Sequence, residues 1–239
     1  MELLPSACPG GPERVSGVSG DGTGYRVLLD EAAVGVLHSG VSSTRVVELI
    51  VAGDNQTLAA YLPESLAGCS QHYPWHVWLI DTASGNFEEL SPDWPVGVSG
   101  PSFSDDGDRI VYVAHDTVGR YIVTARRTTT TSYSTDEEIL FAPGGLGVSY
   151  VAQLSGDGQS VVFVAYQGFT VDDPGFLYQY HLETGRLRQL VEEPVFDVRS
   201  LSVSRDGRRV LYGLDSDPGN VLPLHGVSEG GVEQHVVTP

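Results

Sequence analysis

The chain alternates short runs of β-branched and aromatic residues with short polar clusters, and no stretch sustains an apolar period of 3.6 residues. Arg109-Ile110-Val111-Tyr112-Val113, Val161-Val162-Phe163-Val164 and Val210-Leu211-Tyr212 have the length and composition of strands. Each follows a Ser-x-Asp-Gly cluster, at Ser104-Asp105-Asp106-Gly107, Ser155-Gly156-Asp157-Gly158 and Ser204-Arg205-Asp206-Gly207. An Asp side chain can accept a bond from the backbone two residues on, and Gly supplies a positive φ without steric cost. Each cluster therefore predicts a tight hairpin turn, and the turn sets the register of the strands it joins. The pattern predicts an all-β chain with almost no helix.

The pattern is also periodic. A degenerate copy stands at Gly53-Asp54-Asn55 and a first copy at Ser19-Gly20-Asp21-Gly22. Asp54, Asp106, Asp157 and Asp206 follow one another at steps of 52, 51 and 49, whereas Asp21 precedes Asp54 by only 33. A second pattern keeps the same register: Trp78 to Gly85 before Phe87-Glu88-Glu89-Leu90, and Tyr178 to Gly185 before Leu187-Arg188-Gln189-Leu190. Each unit of about 50 residues thus reads as four strands, A to D, the signature of a repeat architecture.

Pro101-Ser102-Phe103-Ser104-Asp105-Asp106-Gly107, with the strand after it, resembles the WD40-like PD40 repeat of TolB-like β-propellers. The resemblance covers residues 45 to 215 best. It implies blades packed around a central channel, and it carries no chemistry, because these residues build a turn. On that reading the chain is a single propeller of about five four-stranded blades, the first reduced, at roughly residues 14–44, 45–92, 97–142, 147–192 and 197–239. A last strand over Val232 to Val236 is expected to help close the ring. Four blades with an N-terminal extension, or an open fragment completed by another chain, are alternatives.

Composition narrows the partners. There are 31 acidic residues against 13 basic ones, all arginine, for a net charge of -18. Phosphate backbones need clustered positive charge, so nucleic acid is not an expected partner. No run approaches the length of a membrane span, so membrane insertion is not expected. Met1-Glu2-Leu3-Leu4-Pro5-Ser6 has neither a basic start nor an apolar stretch, so no secretory signal is read there. Cys8 and Cys69 are the only cysteines, without zinc-motif spacing; a single disulfide and two free thiols both fit them.

Loops between strands B and C, and between D and the next A, should emerge on one common face of a propeller. Tyr73, Trp75 and His76 fall there, as do His115 and Asp116, Asp172 and Asp173, and Asp215. Aromatics beside carboxylates suit a surface that holds a peptide, a cationic group or a sugar. These eight are the expected ligand-binding residues. Rival chemistries are weaker. His72 and His76 have metal-ligand spacing only on a helix, and Pro74 lies between them. Gly226-Val227-Ser228-Glu229-Gly230 matches a nucleophile elbow by letter, but its context is strand-like, and it reads as a C–D turn. Asn55-Gln56-Thr57 is a glycosylation sequon by letter alone. The Ser-x-Asp-Gly aspartates, one per blade around a ring, are not expected to converge on calcium.

The expectation is a noncatalytic binding or scaffolding module that presents its loop face to a protein or small ligand, with no cofactor. The alternative is a hydrolase or lyase at the channel mouth using His115, Asp116, Asp172 or a bound metal. A gating domain separated from a peptidase is a third.

Overall fold

The computed structural model describes residues 15–17, 26–29, 48–54, 57–63, 75–90, 97–115, 119–129, 138–140, 147–166, 173–195, 198–214 and 224–228. Every regular element among them is a strand. β1 (Val15–Gly17) and β2 (Arg26–Leu29) form a two-stranded ribbon. A four-stranded antiparallel sheet follows: β3 (Glu48–Val51), β4 (Thr57–Pro63), β5 (Trp75–Asp81) and β6 (Phe87–Glu89). The next comprises β7 (Gly97–Phe103), β8 (Arg109–His115), β9 (Arg120–Arg126) and β10 (Glu138–Leu140). β11 (Gly147–Leu154), β12 (Ser160–Tyr166), β13 (Gly175–His181) and β14 (Arg186–Gln189) make a third. The last described sheet holds β15 (Val198–Val203), β16 (Arg209–Leu214) and β17 (Leu224–Ser228). Consecutive strands pair antiparallel within each sheet, and one parallel pairing, Trp75 with Gly97, links β5 to β7. This is the blade repeat of a β-propeller.

The turns form by the expected local chemistry. Asp106 Oδ1 accepts from Ser104 Oγ at 2.6 Å and from Asp108 N at 3.0 Å. Asp157 and Asp206 repeat both bonds with Ser155 and Gln159, and with Ser204 and Arg208. Gly107, Gly158 and Gly207 all take φ near 69°, a conformation that a side chain would strain. Neighbouring turns also touch through their backbones. Asp105 N donates to Gly156 O at 2.7 Å, and Asp157 N to Arg205 O at 2.7 Å. The reason is that the first strand of each sheet lies nearest its neighbours, so its turn meets the turns on either side. The box aspartates themselves still face their own serines, and no group of metal-binding side chains occurs among the described residues.

The core lies between sheets. Ile110, Tyr112 and Ala114 of β8 pack with Ala59, Val77 and Leu79, while Val111 and Val113 pack with Val161, Phe163 and Ala165. Val162, Val164 and Tyr166 turn the other way, onto Val198, Leu201, Val210 and Tyr212. β12 is consequently buried on both faces along its whole length. Each buried Val, Leu or Phe contributes about 1.5–3 kcal/mol of transfer free energy. β16 is the exception, with Leu211 49% exposed on the face away from β12.

Two expectations change or fall outside. Gly226, Val227 and Ser228 lie within β17, paired to Leu211, Val210 and Arg209, so the predicted C–D turn does not begin there. The apolar face of Val227 is needed against β16, which keeps the strand extended through Ser228. The expected closing strand over 232–236, Cys8, Cys69, Asn55 and His72 lie outside the described residues.

Candidate functional site

Among the described residues, register brings the end of a second strand and the starts of the first and third strands together at one end of a sheet. β8 ends at His115 and β9 starts opposite it at Arg120, while β7 begins at Gly97, also paired with His115. Tyr166 closes β12 against Gly175 and Gly147 in the same way. The Ser-x-Asp-Gly and C–D turns occupy the opposite end.

Of the eight expected ligand-binding residues, Tyr73, Asp116, Asp172 and Asp215 lie outside the described residues. Trp75 and His76 are the first two residues of β5, paired with Pro63 and Leu62. Asp173 stands in the bend before β13, partly exposed. His115 is the last residue of β8.

His115 is 8% exposed, and its Nε2 lies 2.8 Å from Ser99 Oγ. Ser99 is buried beside a break in the β7 register, where Gly100 takes φ 59°. Such bulges re-aim side chains, and this one accompanies a serine facing the next strand's histidine. Burial, and then the nearby Arg120 guanidinium, hold the His115 pKa down to about 4. Arg120 Nη1 also donates to Val148 O at 3.1 Å, crossing from the β7–β10 sheet to the β11–β14 sheet.

A serine beside a histidine invites comparison with a nucleophile and its base. That chemistry requires stabilisation of the imidazolium that forms, ordinarily by a carboxylate on the other ring nitrogen. Here burial and a guanidinium both oppose the imidazolium.

At the opposite end, a groove between β13, β14 and the turn at Ser204 is lined by Arg186, Arg188 and Arg208 together with Asp157, Asp206 and Gln179. The sequence reading did not single these arginines out. The signal was present in the strand repeat, where Arg188 occupies the place of Glu88.

No family model matches the sequence, and neither does any curated protein. Solved structures do match. TolB from Acinetobacter baumannii superposes with a TM-score of 0.59 at 16% identity, over 95% of this chain and 49% of that one. Puromycin hydrolase gives 0.63 at 18% identity, over 95% of this chain and 35% of that one. The β-propeller domain of the Trilobed protease from Pyrococcus furiosus, described as having an open velcro topology, gives 0.51 at 11%, over 82% and 57%. The chain spans about half the length of the TolB and about a third of puromycin hydrolase. At these identities the likeness establishes the fold, and the fold is a TolB-like β-propeller.

Proposed function

We propose that this chain, with its TolB-like propeller fold, is a noncatalytic binding module that holds a protein or small ligand at the loop end of its sheets. The observation that carries the reading is the state of His115. The histidine on which hydrolysis at this end would depend is buried, bonded to Ser99 and held neutral beside Arg120. That bond joins β7 to β8, and recognition is assigned to the residues of the loops. Trp75, His76, Asp116, Asp172, Asp173 and Asp215 are the groups proposed to make contact. Large aromatic side chains next to carboxylates favour a partner with a cationic or amphipathic element.

The names of neighbouring structures supply the rival reading, since puromycin hydrolase and a protease propeller are among them. One experiment separates the two. Partners cross-linked to the full chain are mapped by mass spectrometry, and the Trp75→Ala/His76→Ala/Asp172→Ala/Asp173→Ala variant is compared with wild type. The expected result is cross-links at the loop end and at least a tenfold weaker association in the variant, with an unchanged unfolding midpoint. Turnover of ester or amide substrates that disappears in a folded His115→Gln protein would overturn the proposal.

A further inference from the structure

The last strands of the three sheets whose fourth strand is described carry an equivalent charged position. Glu88 pairs with Leu79, Glu138 with Thr124, and Arg188 with Gln179. Leu79, Thr124 and Gln179 each lie two residues before the residue that faces the start of the second strand. The three positions are therefore equivalent, and the charge reverses in the third sheet only. Two residues earlier, Asn86 of the β5–β6 turn gives way to Arg186.

Arg186 and Arg188 both line the groove at the turn end, a cavity of about 560 Å³ shared with Arg208, Gln179, Asp157 and Asp206. Residues two apart on a strand share a face, and their Cα atoms lie about 7 Å apart. Neither guanidinium makes a hydrogen bond or ion pair among the described residues. The groove's two carboxylates are held in their turns through Oδ1. Asp157 Oδ1 accepts from Ser155 Oγ at 2.6 Å and from Gln159 N at 3.0 Å. Asp206 Oδ1 accepts from Ser204 Oγ at 2.7 Å and from Arg208 N at 3.1 Å. Gln179 Nε2 donates to Gly207 O at 2.9 Å, tying the groove wall to the next sheet's turn. In a protein with more than two acids per arginine, a groove lined by three arginines and two turn-held aspartates carries a local positive excess.

We propose that this groove is an oxyanion site that takes a small ligand bearing phosphate or carboxylate groups. Guanidinium forks suit both groups through paired hydrogen bonds, and the cavity volume suits a small molecule. The arginine spacing favours a ligand with two anionic groups, or one large enough to span both forks. Long-range repulsion from the acidic chain is screened beyond about 8 Å at physiological salt, so recognition rests on the local arginines.

The test is calorimetric titration of the full chain at constant ionic strength, with sodium phosphate and with citrate as separate probes. Saturable binding of at least one probe is expected. Phosphate alone assigns the phosphate class, citrate alone the carboxylate class, and both together the shared oxyanion chemistry. The Arg186→Asn/Arg188→Glu variant copies the residues at Asn86 and Glu88, so folding is expected to survive, and binding should weaken at least tenfold. Absence of saturable heat with either probe, or unchanged affinity in that variant, would overturn the proposal. The loop-end variant should bind both probes as wild type does, so the two proposals fail independently.

Discussion

Asp105 and Arg205 belong to turns 100 residues apart, yet Asp105 Oδ2 and Arg205 Nε meet at 3.2 Å, with Gly156 beneath the carboxylate. Both side chains are well exposed, 52% and 81%, so the ion pair itself contributes little. The backbone bonds below it, Asp105 N to Gly156 O and Asp157 N to Arg205 O, hold the three turns in one chain. Side chains at these positions must yield to that backbone contact.

Two glycine substitutions separate these effects. A Cβ at Gly53 would run into the Asp105 carbonyl oxygen, which is backbone and fixed. At Gly156 the nearest atom, 2.6 Å away, is the Asp105 carboxylate, which can rotate into solvent. Gly53→Ala should therefore cost about 1–3 kcal/mol, and Gly156→Ala clearly less. Urea unfolding of both variants tests the order; a larger loss at Gly156 would contradict it.

Arg127 ties the β7–β10 sheet to the β3–β6 sheet, with Nη1 2.6 Å from Asp54 Oδ2 and Nη2 3.2 Å from Thr57 Oγ1. Both charged side chains are about 14% exposed or less, so water compensates poorly when one is removed. Arg127→Ala should cost about 2–3 kcal/mol, because Asp54 is left partly buried without its cation. The Asp54→Ala/Arg127→Ala double variant should cost less than the sum of the single ones. Additive losses in a double-mutant cycle would show that the pair is not coupled.

The serine of each turn should matter in proportion to its burial. Ser155 is fully buried, donates to Asp157 and accepts from Ser160 N at 2.9 Å. Ser204 makes the same bonds to Asp206 and Arg209 N in an exposed turn, where water can replace them. Ser155→Ala is expected to lose about 1–2 kcal/mol and Ser204→Ala about 0.5 kcal/mol. Equal midpoints for the two variants in denaturant would refute that ranking.

These examples also mark what was legible in the sequence. The turns were, because Ser, Asp and Gly within four residues form the motif by themselves. The sheets followed, because the distance between turns is constant and the fold must repeat with it. Contacts across sheets were hidden. Asp54 and Arg127 are 73 residues apart in different units, and nothing local links them. Ser99 and His115 are 16 residues apart on neighbouring strands, and no local pattern announces their 2.8 Å contact. The sign change at Arg188 was visible once the strands were aligned, but its meaning required Gln179 and the Ser204 turn around it.

His115 supplies a pH signature for the fold. Its pKa is about 6.5 when unfolded and about 4 when folded, lowered first by burial and then by Arg120. Between those values the unfolded chain holds a proton that the native state refuses, so stability falls as the medium is acidified. The contribution is fully present above pH 6.5 and is lost as pH drops through about 4. A shift of this size corresponds to roughly 3 kcal/mol. His115→Gln retains a neutral group that can bond Ser99 and removes the titration. The wild type should therefore lose roughly 3 kcal/mol more than His115→Gln between pH 7 and pH 4 in urea unfolding. Carboxylates such as Asp106, whose pKa its bond from Ser104 lowers, add their own acid sensitivity equally to both proteins and cancel in the difference. An imidazole resonance for His115 that titrates near 6.5 in the folded protein would refute both the prediction and the neutral Ser99–His115 pair behind it.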